Sequence, residues 1–241
     1  MASTYSILLD TRFCTGCNTC FYKCVQENRL HDTAAEGHYR TLVLIKDDGL
    51  YHRRCMHCKE PSCEAVCPTA ALSKTDYGPV LYDAERCIGC KTCVAACPFH
   101  VPQWDETRHQ VVKCTMCAHR LQDVAGGKTI PACVEVCPTG ALIFGEYDEL
   151  VAMAKQIASE NKLHIYGLEE NGGTHLIILA KEKPEVIGYP AVPRDTVRSR
   201  EIKSVSGVVA GAAAVAALAY AGIKKYSERR IQVQNFNRSE E

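Results

Sequence analysis

The chain lacks an excess of charge of either sign, since its 241 residues include 28 basic and 28 acidic side chains. Without a broad cationic surface it cannot neutralise a phosphate backbone, so we expect no nucleic-acid partner. It also lacks a glycine-rich substrate-binding loop and an isolated nucleophile, which argues against a catalytic site of its own. The first ten residues, MASTYSILLD, contain neither a basic region nor an apolar run, so no export signal is predicted there.

Cysteine is absent from residues 138–241, which confines any thiol chemistry to the N-terminal part of the chain. That part holds all 16 cysteines, and sorting them by spacing gives four quartets with none left over. The first and third quartets are C-x2-C-x2-C-x3-C runs, and the other two contain a longer interval. In chain order the quartets are Cys14, Cys17, Cys20 and Cys24; Cys55, Cys58, Cys63 and Cys67; Cys87, Cys90, Cys93 and Cys97; and Cys114, Cys117, Cys133 and Cys137.

Three kinds of site use this many cysteines. An even number permits disulfides, but cysteines three residues apart seldom bridge to each other, and disulfide-rich domains are usually shorter. Structural zinc sites also use C-x2-C pairs, generally two pairs separated by a loop. A C-x2-C-x2-C-x3-C-P run instead places three thiolates on one tight loop, which fits three corners of a [4Fe–4S] cubane. The sequence therefore predicts four [4Fe–4S] clusters and disfavours the other two sites.

The sequence between quartets predicts which thiolates share a cluster. Residues 70–86 are short enough for a hairpin that turns near 76–78, as in a two-cluster ferredoxin, where the last cysteine of each quartet binds the other cluster. The outer segments YSILLDTR and PTGALIFG read like VLYDAER and PTAALSKT around this hairpin, so the outer quartets form a second unit with its hairpin cut open. The predicted ligand sets are Cys14, Cys17, Cys20 and Cys137; Cys24, Cys114, Cys117 and Cys133; Cys55, Cys58, Cys63 and Cys97; and Cys67, Cys87, Cys90 and Cys93.

These patterns predict an α+β fold made of two nested bacterial-ferredoxin-like units that carry four [4Fe–4S] clusters, plus a single C-terminal transmembrane helix. Four clusters in one small body favour an electron relay over a structural or sensory role. The expected boundaries are 1–54 and 98–145 for the outer unit, 55–97 for the inner unit, 146–203 for a docking strap, 204–223 for the transmembrane helix and 224–241 for a polar tail.

The docking strap is predicted to contain a helix over 146–162 and two strands over 163–167 and 174–180, separated by an Asn-Gly-Gly turn. The proline-punctuated segment 184–193 is predicted to run extended outside the core. It either ties the cluster body to a partner or is an ordinary surface loop.

Residues 204–223 contain no charged side chain and would be about 30 Å long as a helix, which matches the hydrocarbon thickness of a bilayer. Basic residues flank both ends, and Gly207 and Gly211 begin a small-residue face suited to close helix packing. We predict a span that packs against a membrane partner. Because the segment is rich in alanine, a buried helix of a soluble protein is the alternative.

Four lysines lie close to cysteines in the sequence. Positive charge near a cluster raises its reduction potential, whereas a solvated surface lysine has no such effect. Both interpretations remain open for Lys23, Lys59, Lys91 and Lys113.

Three stretches carry a resemblance to a known family: CPFHVPQWDETRHQVVKCTMCAHR (97–120), PACVEVCPTGALIFG (131–145) and GGTHLIILAKEKPEVIGYP (172–190). With a C-terminal span they resemble the four-cluster iron–sulfur (β) subunits of membrane-bound respiratory oxidoreductases, and the formate dehydrogenase N/O type most closely. The resemblance implies a molybdenum or tungsten pterin catalytic subunit as electron donor. It also implies a membrane cytochrome b, or another quinone-reactive subunit, as acceptor.

In that family the complex is exported with the twin-arginine signal of the catalytic subunit, which implies a periplasmic cluster body with the tail inside. Without such a partner the body would face the cytoplasm. The iron–sulfur subunits of nickel–iron hydrogenases share a GGT segment and a C-terminal span. A hydrogenase, or another respiratory complex such as a dehalogenating one, is therefore the alternative source of electrons.

Overall fold

The computed structural model describes residues 4–122, 130–195 and 220–232. The strands are β1 (Tyr5–Asp10), β2 (Thr41–Lys46), β3 (Gly49–Arg54), β4 (Leu72–Lys74), β5 (Val80–Tyr82), β6 (Gln103–Asp105), β7 (Gln110–Val112), β8 (Leu142–Glu146), β9 (His164–Tyr166) and β10 (Leu176–Ala180). The helices are α1 (Thr19–Glu27), α2 (His31–Ala35), α3 (Ser62–Ala65), α4 (Thr92–Ala96), α5 (Ala118–Gln122), α6 (Ala132–Glu135) and α7 (Tyr147–Asn161), and residues 220–232 are also helical.

A four-stranded sheet separates two layers of the molecule. Its strand order is β8-β1-β10-β9, with β1 and β10 parallel and the other pairs antiparallel. Both central strands are buried along nearly their whole length, and β10 is apolar throughout, as expected when each face of a strand is covered. Leu8 and Ile177 face α7, whereas Leu9 and Ile178 face the cysteine-bearing loops. The sheet is therefore the platform on which those loops are built.

The elements predicted over 146–180 are confirmed with small shifts in their ends. Helix α7 buries Leu150, Ala154 and Ala158 against the sheet, the i, i+4, i+8 face of an amphipathic helix. Two acids in its first turn favour the positive end of the helix dipole. The helix ends at Asn161, and the left-handed backbone of the next residue, Lys162 (φ 55°), reverses the chain into β9.

The sequence predicts a separate docking strap over 146–203, but residues 147–193 do not form a separate segment in the structure. Strands β9 and β10 join β1 in the main sheet, so this region completes the outer unit. The segment 184–193 is not outside the core, because Ile187 and Tyr189 are each only 3% exposed. The Tyr189 ring packs against two other tyrosine rings, and its hydroxyl accepts a hydrogen bond from the backbone N–H of His52.

The cysteine-bearing units repeat one strand arrangement twice. In the inner unit β4 pairs antiparallel with β5 across a turn closed by Thr75 and Pro79, as the sequence predicts. In the outer unit β8 pairs antiparallel with β1 in the same way, although the two strands are far apart in sequence. The outer unit thus has the pairing of a ferredoxin hairpin whose turn has been opened.

Two further hairpins, β2–β3 and β6–β7, are absent from the sequence-based prediction. The first turns at Asp47-Asp48-Gly49 between two apolar runs, a standard hairpin signal that identifies it in retrospect. Both hairpins are inserted into the part of the chain where the outer unit is cut open.

Residues 204–219 of the predicted transmembrane helix lie outside the described residues. Residues 220–223 belong to the helical segment described over 220–232, which packs on the β6–β7 hairpin and near Gly89. There the Arg229 guanidinium donates to the His109 carbonyl and lies over the Trp104 ring. Within residues 4–122, 130–195 and 220–232, no helix has both the length and the apolar character needed to cross a membrane.

Replacing Gly78 with alanine should weaken the junction between the two units. Gly78 has φ +124°, a Cβ there would lie 2.5 Å from the Tyr5 carbonyl oxygen, and Tyr5 N donates to Tyr77 O at 2.8 Å. We expect a loss of roughly 2 kcal/mol, seen as a fall of about 4–8 °C in the thermal midpoint. Gly37→Ala is the matched control, because Gly37 also has positive φ but no atom within 4 Å of its Cβ position. Equal effects of the two substitutions would contradict a steric role at the junction.

Candidate metal centre

The first and third cysteine runs have the same backbone conformation. Gly16 and Gly89, each placed two residues after the first cysteine of its run, have φ of 72° and 69°. Asn18 and Lys91, just before α1 and α4, have φ of 56° and 60°. Left-handed residues at alternate positions curl a short loop tightly, so successive thiols point to one centre instead of along a strand.

One cavity of the outer unit is enclosed by thiols from both ends of the cysteine-bearing region. It contains about 320 Å³ of empty space and is lined by Cys14, Cys17, Cys20 and Cys137. Burial raises the pKa of Cys14, and the nearby thiols of Cys137 and Cys17 raise it further. The fourth thiol of this set therefore comes from the last cysteine of the chain.

A second cavity lies in the inner unit and has nearly the same size. It contains about 330 Å³ of empty space and is lined by the thiols of Cys67, Cys87, Cys90 and Cys93, between walls that include Leu72 and Val111. Burial raises the pKa of Cys93 to about 11, with further increases from the other three thiols. Again three thiols come from one run and one from another.

The remaining eight thiols are grouped by their mutual electrostatic effects. Burial raises the pKa of Cys24, and the thiols of Cys114, Cys133 and Cys117 raise it further. In the other group, burial raises the pKa of Cys58 to about 12, with smaller increases from Cys55 and Cys97. Burial likewise raises the pKa of Cys63, and the same neighbours contribute. In both groups the thiols that raise one another's pKa belong to a set expected from the sequence, whereas the pKa of Cys20 is also raised by Cys133 of another set.

The geometry within each set distinguishes between kinds of site. All sixteen cysteines are free thiols, so none is bridged to another. Every cysteine lies in the described part of the sequence, and within it no three cysteine sulfurs lie within 4.8 Å of one another. A single tetrahedral zinc needs sulfurs about 3.8 Å apart, given Zn–S bonds of about 2.3 Å. A cubane spreads its thiolates because each one binds a different iron, so these residues fit an iron–sulfur cluster better.

Backbone donors approach several of the sulfurs. The N–H groups of Ala71, Gly89 and Met116 donate to sulfur at 3.2, 3.4 and 3.3 Å. Their acceptors are the Sγ atoms of Cys67, Cys87 and Cys114 in the same order. Such donors stabilise a thiolate and tune a metal that it binds.

The four lysines near cysteines in sequence do not share one environment. Lys59 and Lys91 are exposed and Lys23 is half-buried, as expected for surface lysines. Lys113 is only 2% exposed, and its Nζ donates to the carbonyls of Val80 and Cys114 at 2.5 and 2.9 Å. Its charge favours the thiolate form of Cys63 against the dominant effect of burial. The electrostatic interpretation therefore applies to Lys113.

Two side chains that the sequence analysis did not single out reach cysteine sulfurs from strand β3. His52 Nε2 lies 3.1 Å from Cys14 Sγ, and Arg54 Nη2 donates to Cys133 Sγ at 3.0 Å. Burial lowers the pKa of His52 to about 3, and the charge of Arg54 lowers it too, so the ring is neutral at pH 7. The alternation of a half-buried strand after the turn at 47–49 is the signal that places both residues on one face.

A sequence model of a 4Fe-4S dicluster domain matches residues 49–147. Over 220 residues the chain is 31% identical to the iron–sulfur subunit of the nitrate-inducible formate dehydrogenase of Escherichia coli, an alignment that covers 78% of this chain and 72% of the relative. It is 31% identical to a formate dehydrogenase iron–sulfur subunit of Haemophilus influenzae, which covers 88% and 78% of the two sequences. It is 38% identical to the B subunit of the anaerobic dimethyl sulfoxide reductase of Escherichia coli, which covers 62% and 77%.

Each set takes one cysteine from a different run than the other three, and replacing that cysteine tests the grouping of the thiols. In Cys137→Ala we expect about a quarter of the iron to be lost, because one of four sites loses a ligand. Cys14, Cys17 and Cys20 should become reactive to iodoacetamide, as peptide mapping of the alkylated protein would show. Cys97→Ala is the matched variant and should instead expose Cys55, Cys58 and Cys63. Alkylation of the inner set in Cys137→Ala would contradict the grouping.

Proposed function

The protein belongs to the family of iron–sulfur subunits found in formate dehydrogenases and dimethyl sulfoxide reductases, and we propose that it relays electrons through four [4Fe–4S] clusters. In this proposal each thiol set described above holds one cluster. The clusters supply one-electron redox chemistry, and the polypeptide binds, spaces and electrostatically tunes them. Substrate is converted on a different subunit, so this chain is not an enzyme by itself.

The observation that carries the proposal is the way in which neighbouring thiols are divided between sets. Cys20 and Cys24 lie one turn apart on α1, about 6 Å along the helix axis, yet they belong to different sets. The same division separates Cys63 from Cys67, Cys93 from Cys97 and Cys133 from Cys137. Each C-x3-C step thus joins two cluster sites side by side, an arrangement that suits electron passage from one to the next.

Formate is the proposed source of electrons, delivered by a catalytic subunit with a molybdenum or tungsten pterin. The formate dehydrogenase subunits match 78–88% of this chain, whereas the B subunit of the dimethyl sulfoxide reductase matches 62%. The second candidate is a relay toward a reductase of that type, favoured by the higher identity of 38% over 165 residues. The two candidates differ in the direction of electron flow.

The native complex, purified without oxygen, tests both the cluster count and the direction. We expect about sixteen irons per copy of this chain, four for each cubane. Adding formate should bleach the broad visible absorption of the clusters, and heat-inactivated complex is the control. A colourless zinc-loaded protein would contradict the proposal. The second candidate would be established by two results together. The complex would not respond to formate, and after reduction with dithionite it would be reoxidised by dimethyl sulfoxide.

Attachment to a membrane, next to a cytochrome b or another quinone-reactive subunit, is the last part of the proposal. Residues 204–223 have no charged side chain and are flanked by basic residues. A single span there would carry residues 224–232 to the side opposite the clusters. The helix over 220–232 would then have to leave Trp104, because both arrangements cannot exist in one molecule.

Alkaline carbonate washing of membranes distinguishes the two arrangements. We expect the full-length protein to stay in the membrane fraction and a variant ending at residue 203 to be released, because the truncation removes the apolar segment. Release of the full-length protein from membranes that retain its partners would contradict the span. It would leave the packing of Arg229 on Trp104 as the native arrangement.

A further inference from the structure

Strand β3 presents two buried polar side chains to the outer cluster sites. His52 and Arg54 are each 2% exposed, whereas Tyr51 and Arg53, on the other face of the strand, are only half-buried. The register that pairs β3 with β2 fixes this alternation, since Thr41 lies opposite Arg54 and Val43 opposite His52. The two inward side chains are therefore held by the hairpin and do not sample solvent.

Arg54 is a buried cation whose negative neighbours are sulfurs. Its Nη2 donates to Cys133 Sγ at 3.0 Å, and the thiols of Cys114 and Cys20 are also close enough to stabilise its charge. Among the described residues no carboxylate forms an ion pair with it, and its Nη1 has no hydrogen-bond partner. Taking a guanidinium out of water costs several kcal/mol unless an opposite charge is nearby. A cluster held by four thiolates supplies that charge.

His52 differs from Arg54 in the sulfur that it contacts. Its Nε2 lies 3.1 Å from Cys14 Sγ, and its buried Nδ1 has no partner in the described part of the sequence. An N–H at Nε2 meets the sulfur as an acceptor, whereas one at Nδ1 meets none. His52 thus contributes one short-range dipole to the set that contains Cys14.

Reduction adds one negative charge to a cluster. A hydrogen-bond donor or a cation beside a ligand sulfur stabilises the reduced state more than the oxidised state, which raises the reduction potential. The interaction with a full charge falls off slowly with distance, whereas that with a single N–H dipole is confined to the sulfur it contacts. Arg54 lies between the two outer sets and therefore acts on both, more strongly on the set that contains Cys133.

We propose that β3 sets the reduction potentials of the two outer clusters separately, through Arg54 at the site of Cys24, Cys114, Cys117 and Cys133 and through His52 at the site of Cys14, Cys17, Cys20 and Cys137. Both are positioning residues that act through the sulfur they contact. The inference rests on the proposed function, because it requires clusters at both sites.

Potentiometric titration of the purified complex, followed by EPR, tests the inference. Arg54→Gln should lower the midpoint potential of the Cys133 cluster most and that of the Cys14 cluster less. Arg54→Lys keeps the charge and should produce a smaller shift of the same sign. His52→Phe should lower the potential of the Cys14 cluster alone. The signal missing from Cys137→Ala identifies that cluster in the spectra.

Arg53→Gln is the control, because Arg53 lies on the same strand but donates to the carbonyls of His100 and Val101 and not to sulfur. It should leave both outer potentials unchanged. Unchanged potentials in fully loaded Arg54→Gln, or equal shifts in Arg53→Gln, would overturn the inference. If Arg54→Gln loses iron, Arg54→Lys and His52→Phe test the inference in its place. Unchanged potentials in both of these variants would refute it. A wild-type protein without clusters would instead refute the proposed function.

Discussion

Thiols that are buried or half-buried, with Cys17 alone exposed, impose the constraint on which the rest of the structure depends. Burial raises the pKa of thiols such as Cys24, Cys63 and Cys93, and thiols of the same set raise it further. The thiolate form that binds iron is thus disfavoured until metal arrives, so metal binding and final packing are coupled. The buried cations Arg54 and Lys113 also lie near the thiols, where they donate hydrogen bonds to a sulfur and to carbonyl oxygens.

The cluster sites leave little space for an ordinary apolar core, and the protein builds one beside them. Strand β1 opens the outer unit, but it is covered on its other face by α7, a helix without cysteine. The parallel partner of β1 is β10, from the same cysteine-free region. The region after residue 146 therefore supplies the packing that holds the first and last cysteines in register, whatever its role towards a partner.

The sequence predicts the repeating features of this protein well and the individual ones poorly. The expected thiol sets rest on the likeness of the runs to a two-cluster ferredoxin, in which the last cysteine of each run binds the other cluster. Helix α7 and strands β9 and β10 follow from apolar periodicity. The burial of Tyr189 does not, because it depends on two tyrosines more than twenty residues distant and on the N–H of His52. Nor does the packing of Arg229 on Trp104, which depends on where a distant helix docks.

The nested topology also explains why the two units offer their clusters different surroundings. In the inner unit a tight turn joins β4 to β5, so no hairpin is inserted at that point of the chain. In the outer unit the corresponding strands, β1 and β8, are separated by the whole inner unit and by inserted segments. One of these is the β2–β3 hairpin, whose last residues reach Cys14 and Cys133. Opening the ferredoxin hairpin thus lets the inserted β2–β3 hairpin bring His52 and Arg54 to the outer sites. The loops of the first and third cysteine runs keep the same conformation in both units.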